Sequence, residues 1–181
     1  MVYVGSLEVN AKATRPAHGL ASRTGLNVRV GIWDGDSVLI TLLALPKSED
    51  SLSHQIGPRV PAYCSGVGKA LLAYLEPAKL ENYIQTTEFA RHTRTTIVTP
   101  EKLLQDLEKT RERGYSISRE EMIPGVAALG APIFGRKKGL AGAVSISGSP
   151  AAVLGAHLEK LADELMYTAA EISREMGYYK T

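Results

Sequence analysis

This chain of 181 residues predicts an α+β fold, an antiparallel sheet with helices on its faces, on three observations. Two β-rich runs flank Asp34-Gly35-Asp36, whose Asp-Gly pair reads as a hairpin turn. Three further β-rich runs cluster between residues 115 and 147, separated by short turns. Helical patterns lie before the hairpin, between it and the later strands, and after them. Hairpins pair antiparallel, and apolar helix stripes must cover the resulting sheet.

In chain order, Leu7 to Ser22 is Ala-rich and reads as a helix, with Pro16 as a candidate interruption. Leu26 to Trp33 alternates through Val28, Val30 and Ile32, and Ser37 to Leu45 completes the hairpin. Pro46 to Ser53 reads as a polar loop. Ser65 suits the N-cap of a helix from Gly66 to Tyr74. Glu76-Pro77 ends that helix and starts a short one through Ile84. Phe89 to Val98, rich in Thr and Arg, reads as an exposed connection. Thr99-Pro100 then gives an N-cap with proline at the first helical position. The helix it opens runs to Arg113 with Leu103, Leu104 and Leu107 inward, and Gly114 stops it. Tyr115 to Ser118, Val126 to Phe134 and Leu140 to Ser147 are strands, the last two joined through residues 135–139. Ser149-Pro150 opens a long terminal helix with Leu154, Leu158, Leu161, Leu165, Ile172 and Met176 on one stripe.

Composition narrows the function classes. The chain is 44% hydrophobic and 22% charged, ordinary for a globular domain, and no internal repeat or long linker divides it. A single domain over 1–181 is expected. A net charge of +2 gives no basic nucleic-acid surface. Runs such as Val38 to Leu45 are too short to span a bilayer, and Met1 to Gly5 lacks the features of a signal peptide. The single cysteine, Cys64, allows no internal disulfide, which fits a reducing cytoplasm.

Two motifs carry candidate chemistry. Tyr63-Cys64-Ser65-Gly66-Val67-Gly68-Lys69-Ala70 is a small, Gly-rich turn opening a helix. Its free backbone N–H groups suit a carboxylate or phosphate, although an ordinary N-cap with close-packing glycines fits the same residues. It is no Walker loop, because Tyr63 replaces the required glycine and Ala70 the Ser/Thr. Ser145 and Ser147, two apart on a strand, share one face, as ligand-binding hydroxyls or as polar residues toward water. Cys64 or Ser65 as a nucleophile needs a base, and no histidine motif accompanies them. His18, His54, His92 and His157 lack metal-ligand spacing, so no metal site is expected. Ser118-Arg119-Glu120-Glu121 reads more simply as a solvated strand end than as an acid–base pair.

Three stretches resemble one family. Val60-Pro61-Ala62-Tyr63-Cys64-Ser65-Gly66-Val67-Gly68-Lys69-Ala70-Leu71-Leu72-Ala73 is similar to the hallmark of the C-terminal domain of IclR-type transcription regulators. Thr95-Thr96-Ile97 through Leu107 to Arg111 and Gly114-Tyr115-Ser116-Ile117 follows in the family's order. Glu120-Glu121, Pro124-Gly125-Val126-Ala127, Ala131-Pro132-Ile133-Phe134 and Gly142-Ala143-Val144-Ser145-Ile146-Ser147-Gly148 complete the set.

The resemblance implies a GAF-like curved antiparallel sheet flanked by helices, with a pocket on one sheet face. It implies a non-enzymatic sensor without cofactor, binding a small metabolite, often a carboxylic or aromatic acid. It also implies homodimers or tetramers, and operator DNA read only by an N-terminal winged helix-turn-helix, for which Met1 to Gly5, ahead of the first helix, leave no room. Carried over by position, the family's backbone donors fall on Gly66 and Val67 and its paired serines on Ser145 and Ser147. Two pocket positions depart: a common acid is Ser118 here, and a frequent cysteine is Ala128. These departures predict a ligand bulkier or less hydroxylated than the smallest oxo-acids. The rival functions are a small hydrolase or transferase using Cys64 or Ser65, and a ligand-free oligomerisation module.

Overall fold

The computed structural model describes residues 2–46 and 58–179. Helix α1 spans Val2–Thr24 and is followed by the hairpin β1 (Asn27–Asp34) and β2 (Ser37–Ala44). A two-residue strand β3 (Arg59–Val60) leads to helices α2 (Gly66–Tyr74), α3 (Pro77–Thr86) and α4 (Pro100–Arg113). Strands β4 (Ser116–Arg119), β5 (Ala127–Phe134) and β6 (Leu140–Gly148) then precede α5 (Pro150–Leu154) and α6 (Leu158–Glu175). The strands form one antiparallel sheet in the order β3-β2-β1-β6-β5-β4. Register shifts at Val30/Gly31 and Ile133/Phe134 mark β-bulges, which add the local twist that curls the sheet. The chain is thus α+β, an antiparallel sheet flanked by helices as the sequence predicts, and the sheet is curved as the family resemblance implies.

Strand alternation divides the core between the two sheet faces. Val28, Val30, Leu129, Ile133, Val144 and Ile146 bury against Val9, Ala13, Ala17 and Leu20 of α1 and Leu165 and Ile172 of α6. Ala143, Val38 and Val60 join a second cluster with Val67, Leu71 and Leu72 of α2 and Leu103 and Leu107 of α4. In α4 every local signal agrees. Thr99 Oγ1 accepts from the Lys102 N–H, Pro100 occupies the first turn, and Gly114 closes the helix at φ +87°.

Several expectations need correction. Helix α1 is longer than expected at both ends, starting at Val2, and Pro16 does not interrupt it. Burial of a stripe of small residues four apart, Val9, Ala13 and Ala17, outweighs one lost backbone bond. Leu104 is 44% exposed rather than inward, because the α4 stripe follows Leu103 and Leu107. The terminal helix is broken at Gly155, where a Cβ would stand 2.4 Å from the Ala151 carbonyl oxygen. Strand β3 was not foreseen. The polar loop expected from Pro46 to Ser53 lies almost entirely outside the described residues. No helix among the described residues is long and apolar enough to cross a membrane.

Candidate effector site

The start of α2 is seated directly on the sheet. Ser65 Oγ accepts from the Gly68 N–H at 3.1 Å and donates to the Pro61 carbonyl at 2.8 Å. That cap leaves the Gly66 and Val67 N–H groups in the first turn, where no helical acceptor exists. Glycines make the seat possible. A Cβ on Gly130 would lie 2.2 Å from the Gly66 oxygen, and one on Gly66 would lie 2.9 Å from the Ala128 methyl. Ser116 Oγ donates to the Gly66 carbonyl at 2.5 Å, and Ser118 Oγ to the Cys64 carbonyl at 3.1 Å.

Ser145 and Ser147 lie on the sheet face beneath, where Ser147 pairs with Ala128 and Ser145 with Gly130 across β5. All six residues expected at a site, Gly66, Val67, Ser118, Ala128, Ser145 and Ser147, line one cavity of about 40 Å3. The sequence reading missed Arg29. Its guanidinium lines the same cavity and donates to Ser147 Oγ at 2.7 Å, with Arg29 facing Ser145 across β1 and β6. The signal was present: a charged residue between Val28 and Val30 belongs to the face opposite the valines. Burial lowers the Arg29 pKa from its ordinary value.

The cavity is narrow for the ligand expected from the sequence, one bulkier or less hydroxylated than the smallest oxo-acids. A water needs roughly 10–15 Å3 of such space, so the cavity holds only a few heavy atoms. Long side chains, Arg29, Met122 and Ile123 among them, form part of its wall.

The region behind the α2 start is charged and largely buried. Lys69 is fully buried, and its ammonium contacts Glu121 Oε2 at 2.9 Å, Asp106 Oδ2 at 2.8 Å and the Ile117 carbonyl at 2.5 Å. Burial raises the Glu121 pKa, against the opposing pull of Lys69. Glu121 is therefore not part of a solvated strand end. Nor is residues 89–98 wholly exposed, because buried Thr96 receives the His92 and Thr93 N–H groups and donates to the Glu121 carbonyl.

Neither candidate nucleophile is activated. Cys64 is fully buried, and burial, with Glu121 nearby, pushes its thiol up to about 12. Among the described residues no histidine contacts Cys64 or Ser65, and His92 Nε2 instead meets the Tyr63 hydroxyl at 3.0 Å. At pH 8 only roughly one part in ten thousand of this thiol is ionised, against a few tenths for an ordinary cysteine. Alkylation by iodoacetamide should therefore be about a thousandfold slower in the native protein than in denaturant. Similar rates in both conditions would contradict the burial of Cys64.

Comparison with known proteins agrees with this architecture. The family model described as bacterial transcriptional regulator IclR C-terminal matches residues 1–174. The chain is 33% identical over 154 residues to the HTH-type transcriptional regulator BhcR of Paracoccus denitrificans, covering 85% of this chain and 55% of that protein. It is 30% identical over 176 residues to the HTH-type transcriptional regulator XynR of Escherichia coli, covering 97% of this chain and 69% of that protein. The crystal structure of the Thermotoga maritima IclR superposes with a TM-score of 0.87 at 30% identity, over 94% of this chain and 69% of that one. The chain thus spans about half to two thirds of the length of the curated relatives it matches. These relatives are transcriptional regulators, not enzymes.

Proposed function

We propose that this chain, which belongs to the IclR C-terminal family of bacterial transcriptional regulators, is a sensor that binds a short organic acid in the cavity beneath α2. The observation that carries this reading is the meeting of Arg29 with the α2 start. The guanidinium, the Gly66 and Val67 N–H groups and the Ser145 and Ser147 hydroxyls all border one cavity. Cations and helix N-termini together favour an anion, and planar carboxylates suit a guanidinium. Ser118 in place of an acid removes a charge that would repel that anion. The small volume favours an acid of a few heavy atoms over an aromatic one.

The effector acts by population shift, through differential affinity for two arrangements of a homodimer or tetramer. Operator DNA is read in the cytoplasm by the N-terminal helix-turn-helix domain of the regulator. A ligand-free interaction role would need no cavity bordered by Gly66, Ser145 and Ser147.

Thermal shift tests the reading with acetate, pyruvate, oxalate, succinate and benzoate. At about 100 times Kd a ligand adds roughly 2.7 kcal/mol, a Tm rise of about 5–10 °C for a domain of this size. A short acid should give this rise, Ser147→Ala and Arg29→Gln should each reduce it, and any rise with benzoate should be unaffected by either variant. No rise with any short acid, or a short-acid rise undiminished in both variants, would overturn it.

A further inference from the structure

We infer that the chain has a second ligand site, for an aromatic carboxylate, in a groove of about 520 Å3 between α6 and the far end of β5. It shares no lining residue with the cavity beneath α2, so it goes beyond the sensor function proposed above.

Four aromatic residues, Tyr74, Phe134, Tyr178 and Tyr179, stand in its walls. Tyr74 at the end of α2 meets Phe134 edge-on with ring centroids 5.4 Å apart, and Phe134 meets Tyr178 at 5.3 Å. Met166 and Ala170 of α6 complete the apolar lining. Gly114 opens the floor: at φ +87° it closes α4 without a side chain, and a Cβ there would stand 3.1 Å from Met166 Sδ. Aromatic and thioether groups of this kind receive a flat ring through edge and face contacts. The volume lies within the range of small-molecule sites.

One group adds charge. Arg174 of α6 lines the groove, is exposed, and has no ion pair or side-chain hydrogen bond among the described residues. A ring held by Phe134 and Tyr178 brings an attached carboxylate toward this guanidinium.

A peptide strand is a poorer occupant, although β5 is open here. Strand β4 pairs only with Ala127 to Gly130. Beyond it, Pro132 has no N–H, and the Phe134 N–H is held by Ser173 Oγ at 3.0 Å. The donors that an added strand needs are missing or engaged.

Titration of the protein with 1-naphthoate, followed by fluorescence, tests the proposal. The wild type should bind one naphthoate per chain. Ala170→Trp, at an exposed helix position, should abolish binding by filling the groove, with circular dichroism confirming the fold. Arg174→Gln should weaken binding about two- to fivefold, as for an exposed ion pair. Ser147→Ala, in the other cavity, should leave binding unchanged. Absence of binding by the wild type, binding untouched in Ala170→Trp, or equal affinity for neutral 1-naphthalenemethanol would overturn the assignment. Dissociation of an oligomer by Ala170→Trp would overturn it too, giving the groove to a second copy of the chain.

Discussion

Lys69→Met is expected to destabilise the domain by about 3–5 kcal/mol, lowering Tm by roughly 10 °C. The ammonium is fully buried and joins three parts of the chain, α2, Asp106 on α4, and the segment from Ile117 to Glu121. Methionine fills similar space but leaves the Glu121 carboxylate dry and uncompensated. The penalty should depend on pH. Burial already raises the Glu121 pKa, and Lys69 is the largest influence opposing that rise. Without Lys69 the native-state pKa climbs further above the unfolded value near 4.5. Stability tied to protonated Glu121 is then fully present below the unfolded pKa and lost as pH rises through the native one. Urea unfolding should show a smaller deficit at pH 5 than at pH 7.5. The double variant Lys69→Met/Glu121→Gln should recover most of the loss. Equal deficits at both pH values with no recovery would mean that lost packing, not an orphaned charge, is responsible.

Gly130→Ala is expected to cost about 3 kcal/mol and to abolish the acid-dependent rise in Tm. Its Cβ would stand 2.2 Å from the Gly66 oxygen, 2.6 Å from the Gly66 carbonyl carbon and 2.8 Å from Ser116 Oγ. Two of these are backbone atoms, so no rotamer change relieves the overlap. The start of α2 must lift from the sheet, taking the Gly66 and Val67 N–H groups with it. Gly135→Ala provides the contrast, since its Cβ would meet nothing closer than 3.6 Å at an ordinary φ of −111°. A Gly130→Ala protein as stable as Gly135→Ala would show that the α2 seat yields.

The sequence disclosed features governed by local rules. The caps at Ser65 and Thr99, the stop at Gly114 and the turn at Gly35 all appear where side-chain chemistry demands them. The resemblance to the IclR family supplied the curved sheet and brought together six lining residues scattered from Gly66 to Ser147. What stayed hidden depends on contacts between distant segments. Arg29 is one polar residue in an alternating strand, and only the pairing of β1 with β6 sets it beside Ser147. Glu121 read as part of a solvated strand end, because its burial depends on Lys69 from a distant helix. The break at Gly155 was masked by leucines that keep helical spacing on both sides of it.

The two helical layers lie on opposite sides of the sheet. The cavity opens on the α2 side, whereas α1 packs with α6 behind the other face and contributes no cavity residue. Any path from a ligand near Gly66 to α1 would cross the thickness of one sheet. The alternating strands provide that path: Arg29 points at the cavity while Val28 and Val30 press on the α1 side, and Ser145 and Ser147 likewise alternate with Val144 and Ile146. A displacement of Arg29 or of either serine would therefore bear on the apolar residues packed against α1. The sheet is thus a single partition, with polar residues on the cavity side and apolar residues on the α1 side of the same strands.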